Sequence, residues 1–394
     1  MKKQNRVMEL LIKYRVFVIF LVLFAVMAIF SDSFLTRGNI LNMLRQLSIN
    51  GIVAVGMTFV LITGGIDLSV GSVLTFSAMV GCSFIQTGSP YPVAMAIGIS
   101  LVVGLGIGLV NGILVAYGRV PAFIVTLGTQ LAASGAALLF RNGSPIPGLK
   151  DSFNTIAAGS VLGIPMPIII FFVIMLIGGF LLRKTSFGRH TYAVGGNPLA
   201  ARACGIKDRS ITVWVYVISG LCAAIAGIVL AARVRTATPL AGNGYELDAI
   251  AAAVLGGTSL TGGIGNMWGT LAGVLIIGLL NNGMDMLNIQ SYIQDIVQGV
   301  IIVAAVLIDV NTNKESKYIS EQMCPVLIRK NKNYKRKEKE NEKNHCVDPL
   351  HLYGADSGCV LEYSQRSRYH KSSYRRCCRL LVYDHRMESR KSLE

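Results

Sequence analysis

A single carboxylate, Asp67, interrupts "TGGIDLSVGS" at residues 63–72, and no other charged side chain occurs from Gln46 to Gly118. Burying a charge in so apolar a stretch is costly, and within a membrane it marks a transport path or a contact with a partner. A structural use is equally open. Placed just before the helical run that begins at Leu68, Asp67 can accept free N–H groups of the first turn and offset the positive end of the helix dipole. Gly64 and Gly65 supply the reversal before it, with Ser69 and Gly71 completing the motif. The pattern recurs as "TGGIGNMWGT" at 261–270, where Gly262 and Gly263 replace Gly64 and Gly65 and Gly265 stands at the acid's place. Such recurrence points to duplicated halves or to chance likeness between glycine turns.

Elsewhere reactive groups are sparse. Glu246 and Asp248 precede an apolar run, which they can cap unless they face a partner outside the membrane. Asp67, Asp285 and Asp295 all fall near the ends of apolar runs, which disfavours a proton or ion relay. His190 is the only histidine before residue 311. No P-loop is present, so ATP hydrolysis by this chain is not expected. Residues 1–310 hold no nucleophile triad or metal-ligand cluster, so neither an enzyme nor a metal or cofactor is expected.

These groups need a scaffold, and the composition says which. Of 394 residues 52% are hydrophobic and 15% charged, with a mean hydropathy of +0.54; soluble domains carry about 25% charge. The chain reads as an all-α polytopic membrane bundle. A crossing helix takes about 20 mostly apolar residues, because its backbone must satisfy its own hydrogen bonds in lipid. Charge-poor runs near 10–30, 47–65, 68–87, 91–116, 121–140, 163–182, 211–232, 247–260, 265–283 and 290–308 give ten expected spans. The eighth is short and runs into "GGTSLTGGIGN", so it either crosses or re-enters. The basic N-terminus, Lys2, Lys3, Arg6, Lys13 and Arg15, resembles a signal peptide, but the later spans favour an uncleaved first helix.

With the N-terminus inside, twelve Lys and Arg residues of this body fall in the cytoplasm and six outside. That bias supports the orientation and accounts without nucleic acid for the +8 carried by residues 1–310; the tail carries the other half of the net charge of +16. Glycines such as Gly104, Gly106, Gly108 and Gly112 suit close helix packing, where hydrophobicity gives helices no reason to associate. Asn50, Asn111, Asn281, Asn282, Gln294 and Gln298 sit within spans as interhelical hydrogen bonders or ligand contacts. Between spans six and seven, Asn197 can cap a short helix, Pro198 suits its first position and Gly205 can end it. Two turns are unstable alone, so this helix must pack on its own bundle or dock into another protein.

Several stretches carry a resemblance: "GIDLSVGS" (65–72), "GRVPAFIVTLG" (118–128), "RNGSPIPG" (141–148), "FGRHTYAVGGNPLAARACGI" (187–206), "GYELDAIAAAVLGGTSLTGGIGN" (244–266) and "LLNNGMDML" (279–287). In that order, from about residue 8 to 310, the chain resembles the permease subunits of ribose-type monosaccharide ABC importers. The resemblance implies a homodimer of ten-span subunits in the bacterial inner membrane, a separate cytoplasmic ABC ATPase and an extracytoplasmic sugar-binding protein. It implies that Gly188, Arg189, Gly196, Asn197, Pro198, Ala200, Ala201 and Gly205 form the ATPase-coupling loop within 183–210. Gly64, Gly65, Asp67, Ser69, Gly71, Gly262, Gly263, Asn281 and Asn282 belong to translocation or structural motifs, with Glu246 and Asp248 as possible binding-protein contacts. Ribose is the cargo it suggests, xylose and galactose being open. A self-contained ion-coupled sugar transporter or channel is the competing class.

Residues 311–394 depart from that pattern. They hold "IRKNKNYKRKEKENEKN" and five of the eight cysteines, with neither helical nor strand periodicity. His345, Cys346, Cys359, His370, Cys377, Cys378 and His385 lack C-x-x-C spacing, so no zinc site is expected. The tail is expected to be disordered, out-of-frame translation past a frameshift near residue 311.

Overall fold

The computed structural model describes residues 15–307 except positions 32 and 305. All of these belong to one unit, Met1–Asn313. Lys2, Lys3, Arg6 and Lys13, and the tail with its cysteines and histidines, lie outside the described residues.

In chain order the helices are α1 (Arg15–Phe30), α2 (Arg37–Ile62), α3 (Val70–Cys82), α4 (Val93–Ala116), α5 (Ala122–Phe140), α6 (Asp151–Ala158), α7 (Met166–Lys184), α8 (Ser186–Gly196), α9 (Pro198–Ala203), α10 (Asp208–Val234), α11 (Tyr245–Leu255) and α12 (Met267–Met286). A last apolar helix, α13, covers Ser291–Ala304. Each expected span falls on one of these. By length and apolarity six of the described helices suffice to cross a membrane: α2, α4, α5, α7, α10 and α12. The eighth expected span is an 11-residue helix, α11, about 16 Å long against a hydrocarbon core of about 30 Å.

The packing inverts the usual logic of a soluble core. On α4 the outward residues are Val102, Leu109, Val110 and Ile113, whereas Ala96, Ser100, Gly104, Gly108, Asn111 and Gly112 are buried. The buried face is thus a stripe of small and polar residues at fourfold spacing, which lets two backbones approach in lipid. It lies on α10. A Cβ added at Gly108 would sit 2.5 Å from the Tyr216 carbonyl oxygen, and one at Gly112 would sit 2.8 Å from Val213 Cα. Gly104 and Gly220 abut in the same way, but Gly106 has nothing within 4 Å. Close packing therefore explains three of the five glycines of α4, Gly98 like Gly106 facing open space.

Helices α2 and α10 form the centre. They meet where Gly56 lies against Ser219 and Cys222, and α10 meets α3 where Gly227 abuts Leu74 and Ala78. Helix α11 packs on α12 through Gly256 against Gly269 and Ala252 against Gly273. Helix α2 starts ten residues before the expected span, because Thr36 accepts from the Asn39 N–H and begins the helix among polar residues.

Three local elements escaped the sequence reading. The proline-punctuated loop contains α6 and a hairpin of β1 (Ser160–Val161) and β2 (Ile164–Pro165), pairing Ser160 with Pro165. Helix α8 occupies residues read as loop, and Thr185 caps it by accepting from the Gly188 N–H at 3.2 Å. The Gly104–Gly112 seam makes a prediction. Gly108→Ala should lower stability by about 1–3 kcal/mol through overpacking against α10, while Gly106→Ala should not, as read by thermal unfolding in detergent.

Candidate functional site: coupling segment and polar core

The residues 183–210 fold as two short helices joined at a corner. Asn197 accepts from the Ala200 N–H through Oδ1 at 3.0 Å, Pro198 opens α9, and the chain ends it with Gly205 at a φ of 82°. The Ile206 N–H bonds back to the Ala201 carbonyl at 3.0 Å, closing the helix end as a glycine cap does. The capping residues thus stand where the sequence placed them. Arg202 pairs with Asp208 at 2.6 Å, which also raises the arginine's pKa through that hydrogen bond. Ala201 is buried and faces the bundle, while Pro198, Ala200 and Leu199 are exposed, Leu199 by 76%. Leu199 thus presents an apolar side chain on the outer face of a two-turn helix.

At the other end, Gly188 lies against the Leu181 and Leu182 carbonyls, where no side chain fits. Arg189 donates to Ser186 Oγ at 2.8 Å within the same turn. Beyond α8 three glycine pairs interlock. The Gly263 N–H donates to the Ile62 carbonyl at 2.8 Å. A Cβ at Gly262 would lie 2.9 Å from both the Gly195 oxygen and the Gly64 nitrogen, and one at Gly263 would lie 2.9 Å from Gly196 Cα. Tyr192 of α8 adds a bond from its hydroxyl to the Gly265 carbonyl at 2.6 Å. The two T-G-G-I turns therefore touch each other and the end of α8. Gly195 and Tyr192 were missed by the sequence reading; the doubled "GG" at 195–196 was the available signal.

Asp67 is buried at the centre of a second constellation. Its Oδ1 accepts from the Ser69 N–H at 3.1 Å and the Ser69 hydroxyl at 2.6 Å, and its Oδ2 accepts from the Ser219 hydroxyl at 2.8 Å. Asn111 donates to Ser69 Oγ at 2.9 Å and accepts from the Thr129 hydroxyl at 2.6 Å. The expected cap on the first turn of α3 is corrected: Asp67 bonds Ser69, the residue before the helix, and ties this turn to α10, α4 and α5. Sequence spacing could not reveal Ser219, which lies 152 positions away.

The acids of α11 also turn inward. Glu246 is 8% exposed; its Oε1 accepts from Gln130 at 3.1 Å and from the Gly244 N–H at 3.4 Å. Its Oε2 lies against Gly71 without a hydrogen-bond partner among the described residues. Gly242 abuts Gly71, and its N–H donates to Thr75 Oγ1 at 2.9 Å. Asp248 accepts from Asn50 at 2.8 Å, from Asn281 at 3.4 Å and from Gln298. Asn282 and Asn39 bond each other reciprocally at 2.9 and 3.0 Å. Gln294 reaches Asp285 at 2.9 Å. All six amide side chains singled out in the spans are thus engaged between or within helices. Among the described residues no three His, Cys, Asp or Glu side chains are grouped to hold a metal ion.

An exposed capped peg, a backbone interlock and a hydrogen-bonded polar interior suit a membrane transport component. A family model described as "Branched-chain amino acid transport system / permease component" matches residues 39–306. The chain belongs to this permease family. The permease is 46% identical over 293 residues to the ribose import permease protein of Escherichia coli K12, covering 73% of this chain and 91% of that one. It is 46% identical over 290 residues to the ribose import permease protein of Bacillus subtilis 168, covering 73% and 89%. With the D-allose transport system permease protein of Escherichia coli K12 it shares 40% over 299 residues, covering 75% and 91%. No solved structure matches it. As a ribose-type permease it is a multi-pass membrane protein and a transport component.

The Asp67 constellation yields the next prediction. Asp67→Ala should cost about 2–4 kcal/mol, since two hydroxyls and an amide lose a buried acceptor. Ser219→Ala should cost about 1 kcal/mol. Chemical unfolding of the two variants in micelles measures the difference.

Proposed function

We propose that this permease is the passive translocation subunit of an ABC importer for a monosaccharide, with D-ribose as cargo. The ribose import permeases among its relatives support the sugar, and their likeness spans most of the described chain. In this reading residues 1–310 form the membrane domain, crossing ten times with the N-terminus in the cytoplasm, and two copies assemble around one path. The tail 311–394 lies outside that domain.

The observation that carries the reading is the peg α9. It is capped at both ends, bares Leu199, and is joined through α8 to the glycine interlock. A separate ATPase that gripped the peg would move it as a rigid body, since its caps leave no slack. The interlock would pass that displacement to the end of α2 and to the turn carrying Asp67. There Ser219, Ser69 and Asn111 link the turn to three further helices, so the push reaches the helices around the path. Sugar arrives from an extracytoplasmic binding protein, so tight contacts within the membrane are unnecessary. Glu246 and Asp248, both turned into the packing, serve under this reading to hold the start of α11 rather than to meet the binding protein.

The competing class, an ion-coupled transporter acting alone, needs an intramembrane acid free to titrate. Uptake of ribose into proteoliposomes separates the two. Accumulation should require the ATPase, ATP and the binding protein together; accumulation by this chain alone under a proton or sodium gradient would refute the importer. In the assembled complex, Leu199→Cys and Ala203→Cys should cross-link to the ATPase in at least one nucleotide state. Leu139→Cys, bare at the far end of α5, should not.

A further inference from the structure

The "GRVP" turn between α4 and α5 has no part in the coupling reading, yet two cavities meet at it. One is a chamber of about 590 Å³ lined by Arg119, Arg202, Arg209 and Asp208, with Gly64, Gly65 and Pro198 at its wall. The other is a groove of about 650 Å³ between α4 and α5, lined by Gly106, Val110, Leu114, Ile124 and Gly128. Val120 lines both, so the polar chamber and the apolar groove adjoin at this turn.

Charge and shape differ sharply along this passage. Three arginines and one acid line the chamber, and the acid, Asp208, is engaged by Arg202 at 2.6 Å. The lining keeps an excess of two positive charges. Arg209 is held with its guanidinium over the Tyr117 ring, 5.5 Å from the centroid, a cation–π placement. Arg119 takes a left-handed φ of 56° just before Val120 and Pro121, a conformation uncommon outside glycine. Up the groove, Val110 and Ile124 are more than half exposed. A Cβ at Gly106 or Gly128 would have nothing within 4 Å, so the two glycines leave the trough wide.

We propose that the two cavities form one site for an anionic phospholipid of the inner leaflet, with its phosphate in the arginine chamber and an acyl chain in the groove. Basic pockets between membrane helices on the cytoplasmic side recognise phospholipid headgroups, and the adjoining groove is apolar but for Thr129, whose hydroxyl is engaged by Asn111 and the Val125 carbonyl. A sugar would find little to bond there. A helix from a second copy would fill the groove but leave the cationic chamber uncompensated, whereas an amphiphile satisfies both ends at once. The headgroup would rest against Gly64, Gly65 and Pro198, so lipid occupancy would brace the coupling helix. This site does not depend on which sugar is carried.

The test uses the full-length permease in nanodiscs of equal phosphatidylglycerol and phosphatidylethanolamine, with retained lipid counted by native mass spectrometry after transfer to detergent. Phosphatidylglycerol should be retained preferentially, and Arg119→Gln and Arg209→Gln should each reduce that retention about fivefold. Gly106→Leu and Gly128→Leu, which fill open space, should reduce it with helix content unchanged. A photoactivatable acyl chain on phosphatidylglycerol should label residues 106–128. Equal retention of the two lipids, or retention indifferent to the arginine variants, overturns the proposal. So does displacement of the lipid preference by millimolar inorganic phosphate without loss of labelling, which would make the chamber a free-phosphate site. Disulfide formation between two copies through Gly128→Cys, with no lipid labelling, would make the groove a dimer face and equally overturn it.

Discussion

Backbone touching backbone is the constraint on which this bundle rests. Lipid gives apolar helices no reason to leave it, so association must come from close van der Waals contact and interhelical hydrogen bonds. Both require that side chains be absent at the points of nearest approach. The seam of Gly104, Gly108 and Gly112 on α10 meets this need along one helix. The junction of Gly64, Gly195 and Gly262 meets it among two turns and the end of α8 at once, with the Gly263 to Ile62 bond fixing the register. Rigid junctions of this kind carry displacement instead of absorbing it, because packed contacts are poorly compressible.

The polar groups obey the same setting. A hydrogen-bonding side chain in a membrane interior is expensive unless partnered, and here Asp67 has three donors while Asn39 and Asn282 satisfy each other. Such pairs specify which helices lie together, a task that apolar surfaces perform badly in hydrocarbon. They also leave few acids able to bind an ion in transit, which accords with a subunit that borrows its energy from elsewhere.

Much of the scaffold was legible because hydropathy is a strong signal when the backbone has no solvent partner. Each of the ten expected runs overlaps a helix among the described residues, six of them long and apolar enough to cross a membrane, and Asn197, Pro198 and Gly205 bound α9 as their backbone preferences require. The misses have nameable reasons. Helix α2 extends through Arg37 and Arg45, where charge masks its start. Helix α8, "SFGRHTYAVGG", has a composition that reads as loop, and tertiary contact with the glycine turns overrides its weak propensity. The role of Asp67 was half visible. Its burial cost pointed to partners, but Ser219 and Asn111 are distant in sequence and only the fold brings them near.

The Glu246 carboxylate lies where two incomplete helices begin, against Gly71 at the start of α3 and close to Gly242 ahead of α11. A side chain at Gly71 would have to occupy the volume that this acid and the Gly242 carbonyl fill, and one at Gly242 would meet the Gly71 carbonyl and Thr75 Oγ1. Main chain faces both glycines, so trimming Glu246 would not by itself make room for a side chain at either.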